Sequence, residues 1–147
     1  MASLRILLVD DSPEFLTVAM RILSATLQLE VVGVAHSGCD AIEQVARLQP
    51  DLVLMDVSMP SMDGLQATAR IKALGDAPYI VMVTLYDCDE YRAASAALGA
   101  DGFIAKADFA TALPPLIHTL FAADARHGER RDRTAPPRER PPRANRA

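Results

Sequence analysis

The stretch Asp51-Leu52-Val53-Leu54-Met55-Asp56 decides the fold predicted for this chain. Four apolar residues stand between acids without polar alternation, which is typical of a strand buried on both faces inside a parallel sheet. Pro60 and Gly64 in the following segment prevent the strand from continuing and indicate a loop. Asp56 is therefore expected at the carboxyl edge of a sheet, where open α/β folds build their sites.

The composition bounds the size and the environment of the protein. With 147 residues, of which 50% are apolar, the chain can bury one ordinary core. No apolar run approaches the roughly 20 residues that a membrane span requires, so we expect a soluble, cytoplasmic protein that has no membrane partner. Cys39 and Cys88 lie far apart and have no neighbouring His, which argues against a zinc or redox motif.

The charge divides the chain into an acidic body and a basic tail. The formal net charge is -4, and the residues from Asp124 onward carry eight Arg against four acids, which leaves -8 on residues 1–123. We expect residues 1–123 to form one domain and residues 124–147 to be a disordered tail, because this Arg/Pro-rich segment has no large apolar side chain. The tail is interpreted as a solvated linker or remnant, with contact to a nucleic acid or an acidic partner as the alternative. The acidic body argues against direct DNA binding.

Strands and helices alternate along the body. Apolar or β-branched runs predict five strands, at residues 4–9, 30–35, 51–56, 79–83 and 102–105. Helices are expected after each strand, and the first four have candidate N-caps at Ser12, Ser37, Asp63 and either Asp87 or Asp89. The last helix is expected to begin near Leu113 after a short turn, because Pro114 and Pro115 disfavour a helix interior. Short connections and right-handed crossovers then predict an α/β fold, a doubly wound five-stranded parallel sheet in three layers, the flavodoxin-like (βα)5 arrangement.

Apolar residues at helical spacing predict which helix faces are buried. The predicted set is Leu16, Met20, Leu23 and Leu27 in the first helix, Ile42, Val45, Ala46 and Leu48 in the second, and Leu116, Ile117, Leu120 and Phe121 in the last.

Acidic and polar residues stand at the ends of four of the five predicted strands. They are Asp10 and Asp11, then Asp56, Thr84 and Lys106. Because the carboxyl ends of parallel strands meet at one edge, we expect these side chains to converge. Crowded carboxylates repel one another unless a cation joins them, and Mg²⁺ suits oxygen ligands with open water positions. A carboxylate such as Asp56 can also attack a phosphoryl group, with the metal and Lys106 offsetting the charge.

This ordered set resembles the receiver domain of bacterial two-component response regulators. The matching features are the pair Asp10-Asp11, Asp56 in the pattern Asp-x-x-Met-Pro-x-Met-Asp-Gly, Thr84 and Lys106, and the resemblance spans residues 4 to about 122. It implies that Asp56 is the phosphoacceptor, that Thr84 senses the phosphoryl group and that Lys106 pairs with it. The implied Mg²⁺ ligands are Asp10, Asp11, Asp56 and the backbone carbonyl of Ser58. Phe103 matches the switch aromatic of the family, although simple edge packing also explains an aromatic there.

The resemblance also implies a function. The protein would be a stand-alone receiver that takes phosphate from a histidine kinase or phosphotransfer protein and switches its binding to an output protein that the sequence does not name. A homodimer that forms on phosphorylation is also compatible with the family. Catalysis would be limited to self-phosphorylation from a phosphodonor and autodephosphorylation, so the protein is not expected to be an enzyme.

Departures from the family pattern leave alternatives open. Leu85 stands where a small residue is usual, and Ala107 replaces a proline that often follows the lysine. Residues 99–108 resemble receivers that carry a helix-turn-helix DNA-binding domain, but the tail is too short and too polar to fold into one. A phosphatase of the haloacid dehalogenase type also uses a strand-end aspartate, yet it would carry a second Asp at the position of Ser58. A module that no longer uses phosphate would have no Mg²⁺ affinity.

Overall fold

A computed structural model describes residues 3–26 and 28–131 of the chain. In chain order the elements are β1 Leu4–Val9, α1 Pro13–Ser24, β2 Leu29–Ala35, α2 Gly38–Leu48, β3 Leu52–Asp56, α3 Gly64–Lys72, β4 Tyr79–Thr84, α4 Asp89–Ala97, β5 Gly102–Ala105 and α5 Phe109–Arg131, with a 3₁₀ turn at Lys106–Asp108. The five strands lie within one residue of the predicted bounds. No helix in the described part of the chain is long and apolar enough to cross a bilayer.

The strands form one sheet in the order β2-β1-β3-β4-β5, and every neighbouring pair is parallel. Between β1 and β3 the order in which successive strands are added changes from one side of the sheet to the other, so the predicted doubly wound α/β fold is confirmed. All five residues of β3 are buried, as its uninterrupted apolar sequence indicates for a central strand. The register places Asp56 beside Val83 of β4, which brings the end of β3 to the edge where the other strands also end.

Both faces of the sheet are covered by apolar packing. Leu7 and Val9 of β1 belong to the buried cluster on the face where α2 and α3 pack. Because side chains alternate along a strand, the fully buried Ile6 and Leu8 point to the opposite face. A core on each side of a central sheet is the three-layer arrangement that the alternation of elements predicts.

Three of the predicted helix caps are confirmed. The Ser12 hydroxyl accepts a hydrogen bond from the Phe15 amide at 3.3 Å, and the Ser37 hydroxyl accepts one from Asp40 at 3.1 Å. Asp63 forms a capping box, in which its carboxylate accepts from the Gln66 amide at 2.9 Å. These caps satisfy amide groups that the first turn of each helix leaves unpaired.

The predicted cap of α4 is wrong. Cys88 occupies the N-cap and makes no side-chain capping bond, while Asp89 is the first residue inside the helix. The Asp87 carboxylate instead binds the guanidinium of Arg92 through two bonds, at 2.7 and 3.0 Å. The guanidinium engages both oxygens of this carboxylate, so Asp87 pairs with Arg92 instead of capping α4.

The buried faces of α1 and α2 differ from prediction at four positions, two of which are alanines that the prediction left out. Ala19 and Ala41 are fully buried, whereas Met20 is 36% exposed and Ala46 is also exposed. Small side chains let a helix approach the sheet closely, and a search for large apolar residues overlooks them. Leu16, Leu23 and Val45 are buried as predicted, Ile42 and Leu48 are half-buried, and Leu27 lies outside the described residues.

Helix α5 begins at Phe109, so the start predicted near Leu113 is wrong. Pro114 and Pro115 lie inside the helix. The fixed φ of proline, near −65°, is itself helical, so the cost is confined to two lost backbone hydrogen bonds and local crowding in a helix of 23 residues.

The chain divides into two compact units between Leu113 and Pro114, and the described part of the second unit is helical as far as Arg131. Its four predicted core residues, Leu116, Ile117, Leu120 and Phe121, are half-buried. Residues 132–147 lie outside the described residues. The domain boundary at residue 123 and the disorder of the tail stay predictions.

Candidate active site at the carboxyl edge of the sheet

Three acids converge at the carboxyl edge of the sheet. Asp10 and Asp56 are buried, Asp11 is exposed, and one carboxylate oxygen of each lies within 4.8 Å of the others. The backbone fixes Asp10 because its amide donates to the Ala35 carbonyl at 3.0 Å, while its Oδ1 accepts from the Ser12 amide at 2.8 Å. The cluster therefore has two acids held by the sheet and one open to solvent.

Lys106 joins the cluster from the 3₁₀ turn after β5. Its Nζ lies 2.8 Å from Oδ2 of Asp10 and 3.7 Å from Oδ1 of Asp56, and its side chain is only 9% exposed. The ammonium also lies 4.5 Å from the centre of the Phe15 ring. The predicted convergence of Asp10, Asp11, Asp56 and Lys106 is thus present, and two of the carboxylates share one cation.

The environment of Asp56 opposes its ionisation. Burial raises its pKa to about 7, and repulsion from Asp10 adds to the rise, whereas Lys106 and a hydrogen bond from the Ser58 backbone lower it. One lysine is therefore too little positive charge for this set of carboxylates. An additional cation that bound here would favour the ionised form of Asp56.

The donor set fits Mg²⁺. Among the described residues, the buried Oδ2 of Asp10 has the Lys106 ammonium, at 2.8 Å, as its polar partner. The carboxylate oxygens span at most 4.8 Å, close to the roughly 4 Å between opposite ligands of an octahedral Mg²⁺ site. Hard oxygen donors with one exposed side suit a cation that keeps several waters.

The loop after β3 folds back over the strand end. The Gly64 amide donates to the Val57 carbonyl at 2.9 Å, and a Cβ on Gly64 would overlap the carbonyl oxygen of Asp56. Glycine is therefore required here for close approach of two backbone segments. The same loop leaves Ser58 exposed next to Asp56, but whether its carbonyl binds a metal stays a prediction.

Thr84 ends β4 and is buried, as expected for a residue at this edge. Its hydroxyl accepts a hydrogen bond from the Tyr86 amide at 3.0 Å and lies 3.3 Å from the Tyr86 carbonyl. Leu85 and Tyr86 are 70% and 67% exposed. The hydroxyl is thus held by its own loop, and Leu85 projects from that loop toward solvent.

Phe103 lies on β5 and is half-buried against the core. The Arg92 guanidinium lies 4.7 Å from the centre of its ring. The same guanidinium holds Asp87, and this pair lowers the pKa of Asp87 because the hydrogen bonds favour the ionised carboxylate. Sequence reasoning missed the contact of Phe15 with Lys106 and that of Arg92 with Phe103. The two residues of each pair are not neighbours in the chain.

Comparison with known proteins identifies the family to which this fold belongs. A family model described as the response regulator receiver domain matches residues 6–114. The signal receiver domain of the response regulator NarL from Mycobacterium tuberculosis is 26% identical with a TM-score of 0.75, and the match covers 85% of this chain and 98% of that one. The response regulator domain of Thermotoga maritima CheB is 26% identical with a TM-score of 0.67, over 92% and 99% of the two chains.

Curated relatives are longer proteins. The protein-glutamate methylesterase/protein-glutamine glutaminase 4 of Myxococcus xanthus is 45% identical over 86 residues, 58% of this chain and 24% of that protein. The protein-glutamate methylesterase/protein-glutamine glutaminase 3 of Anaeromyxobacter dehalogenans is 43% identical over 102 residues, which are 69% of this chain and 30% of that protein. The chain spans less than a third of the length of these relatives, so their whole-protein activity does not follow from the match.

Proposed function

The chain belongs to the response regulator receiver family, and we propose that it is a phosphoacceptor in which Asp56 receives a phosphoryl group and the fold reports this to a partner. The observation that carries the proposal is the convergence of Asp10, Asp11, Asp56 and Lys106 at one sheet edge, where the Lys106 ammonium lies 2.8 Å from the buried Oδ2 of Asp10. Acids from two strand ends and a lysine from a third match the requirements of transfer to a carboxylate.

The proposed reaction is an in-line displacement. A carboxylate oxygen of Asp56 forms the new P–O bond, and the bond from phosphorus to the donor breaks. The leaving group keeps the electron pair of that bond, whether it is the carboxylate of acetyl phosphate or a ring nitrogen of phosphohistidine. Lys106 pairs with the phosphoryl oxygens without transferring a proton, and it offsets charge that would otherwise repel Asp56.

Asp10, Asp11 and Asp56, with the Ser58 carbonyl, are the proposed Mg²⁺ ligands. When bound, Mg²⁺ supplies positive charge that draws the phosphoryl group toward the carboxylates. Asp10 contributes its buried carboxylate oxygen Oδ2. Its ion pair with Lys106 also links the metal ligands to the lysine.

Thr84 and Phe103 are the proposed switch residues. The Thr84 hydroxyl is bound to the Tyr86 backbone, so it must leave those bonds to reach a phosphoryl oxygen. Phe103 is half-buried with the Arg92 guanidinium over its ring, so a reorientation of the ring would have to break that contact. A two-state rearrangement at these residues would change the surface around α4 and β5.

We propose a histidine kinase or a phosphotransfer protein as the source of the phosphoryl group. The output is proposed to be a change in binding, with the described fold carrying only its own phosphorylation and dephosphorylation. Relatives by name include methylesterases and a LuxR family regulator from Aurantimonas, so the likeness does not select one output. Stand-alone action, the phosphorylation-dependent homodimer and cytoplasmic location stay predictions.

The test is intact mass after incubation with acetyl phosphate and Mg²⁺. We expect a gain of one phosphoryl group that EDTA prevents and that Asp56→Asn abolishes, because the amide is a far poorer nucleophile. Equal labelling of the Asn variant would contradict the assignment of Asp56. Sustained turnover of phosphate esters would instead support a phosphatase of the haloacid dehalogenase type, and absence of Mg²⁺ affinity would support a module independent of phosphate.

A further inference from the structure

The ammonium of Lys106 has an aromatic neighbour as well as two carboxylates. Its Nζ lies over the face of the Phe15 ring, 4.5 Å from the centre. The Phe15 ring in turn meets Phe109 edge to face, with centres 5.2 Å apart and planes at 80°. A lysine on a flexible four-carbon stem is thereby held by groups from α1, β1 and β3 at the mouth of the site.

We propose that Phe15 is a positioning residue for phosphoryl transfer, in which its ring holds the Lys106 ammonium beside Asp56 while the carboxylates bind the metal. This inference rests on the proposed function and adds a residue that acts through the lysine.

The reason is competition for the carboxylates. Lys106 is attracted by Asp10 and Asp56, and both of these are proposed metal ligands. A divalent cation shared by the same oxygens repels the ammonium and weakens both ion pairs. Lys106 contacts Asp10, Asp56 and the Phe15 ring, and of these three groups the ring is the one that a metal does not use. The negative face of the ring attracts the ammonium without offering a metal ligand.

Phe109 packs against the Phe15 ring. It is 2% exposed and opens α5 directly after the turn that carries Lys106, while Phe15 lies in the first turn of α1. An edge-to-face contact is a preferred geometry for two aromatic rings. It keeps the face of Phe15 turned toward the ammonium, so the lysine is prepared before a phosphodonor arrives.

The test compares Phe15→Leu with Phe15→Tyr. Leucine keeps much of the apolar volume but removes the ring, whereas tyrosine keeps the ring face. With acetyl phosphate, which needs no docking by a protein partner, we expect the labelling rate of the Leu variant at saturating Mg²⁺ to fall about three- to tenfold. The Tyr variant should label within about twofold of the parent, and the Mg²⁺ dissociation constants of all three proteins should agree within about twofold.

A double-mutant cycle with Lys106→Met separates positioning from a general structural effect. If Phe15 acts through the lysine, Phe15→Leu should slow labelling in the parent but leave the slower Lys106→Met protein unchanged. An equal fold-change in both backgrounds, or a loss of Mg²⁺ affinity that matches the loss of rate, would overturn the proposal.

Nuclear magnetic resonance supplies a readout that does not depend on the reaction. In the metal-free protein the ring should shift the Lys106 ε-methylene protons upfield, and this shift should vanish in Phe15→Leu and persist in Phe15→Tyr. Absence of the shift in the parent would remove the contact on which the inference rests. If the contact is present but the parent never labels, the proposed function fails and the positioning role fails with it. If the parent labels and the Leu variant labels equally fast, the positioning role alone fails.

Discussion

Replacing Asp56 with Asn should stabilise the metal-free protein while it abolishes phosphorylation. Burial and Asp10 raise the pKa of Asp56 from 3.8 to about 7, so the native state binds its proton more tightly than the unfolded chain does. A group whose pKa is raised in the native state contributes fully to stability below its pKa in the unfolded chain. This contribution is lost as the pH rises through its pKa in the native state. The penalty for Asp56 therefore grows between about pH 4 and pH 7 and is constant above that range.

The magnitude follows from the shift. The pKa rises by about 3 units, and at 1.36 kcal/mol per unit the penalty of the ionised carboxylate reaches about 4 kcal/mol as an upper bound at pH 8. Asparagine has nearly the same shape and no charge, so its free energy of unfolding should exceed that of the parent by up to this amount. For a domain of this size, 1 kcal/mol shifts Tm by roughly 3 °C, so the gap in Tm should approach about 10 °C.

The assay is thermal and urea unfolding in EDTA from pH 4.5 to 8.5. The difference in stability between the Asn variant and the parent should grow up to about pH 7 and then stay constant. Mg²⁺ should reduce this difference, because it stabilises the parent more strongly. Asp11→Asn is the matched control, because Asp11 is the exposed member of the cluster and its neutralisation should change stability little. Equal stability of parent and Asn variant at pH 8, or a gap independent of pH, would refute this reasoning.

Three further outcomes are expected. Leu85→Ala should raise both the labelling rate and the decay rate of the phosphorylated protein about two- to tenfold if the 70% exposed Leu85 hinders small donors and attacking water, and unchanged rates would exclude that hindrance. Thr84→Ala should still label but should lose the amide shifts of residues 87–108 on phosphorylation, and undiminished shifts would exclude Thr84 as the sensor. Lys72→Met should lower the free energy of unfolding by about 1 to 3 kcal/mol without affecting labelling, because the Lys72 ammonium lies 2.7 Å from Asp101 and 2.9 Å from the Pro78 carbonyl. A loss below about 0.5 kcal/mol in urea unfolding would contradict that estimate.

The predictable part of the fold rests on signals that are local in sequence. An apolar run such as Leu52 to Met55 identifies a central strand because buried strands lack polar alternation, and Ser12 or Asp63 identifies a helix start because the cap bonds an amide three residues away. The site was predictable for the same reason. Its acids and lysine stand at strand ends, and parallel topology alone brings strand ends together.

The sequence-based predictions were wrong where the structure depends on the orientation of another side chain or where the fold tolerates an energetic cost. Nothing in the neighbourhood of Asp87 shows that it would bind Arg92 rather than cap α4, because the bidentate bond depends on side-chain orientation. The start of α5 was misplaced because the proline rule gives a preference, and a long helix tolerates two missing bonds. Small residues such as Ala19 are missed because their burial reflects close packing of backbones rather than large apolar area.

The contacts around the loop 85–87 bear on how the proposed switch would transmit a signal. The Tyr86 backbone holds the Thr84 hydroxyl, and the next residue, Asp87, holds the guanidinium that covers Phe103. A movement of Thr84 toward a phosphoryl group would release the Tyr86 amide and disturb the anchor of Arg92 one residue further on. If Thr84 and Phe103 are the switch residues proposed above, one short loop and one side chain connect them. Because the Asp87–Arg92 pair is exposed and individually weak, the loop can give up this anchor at low cost, which is what an element with two accessible states requires.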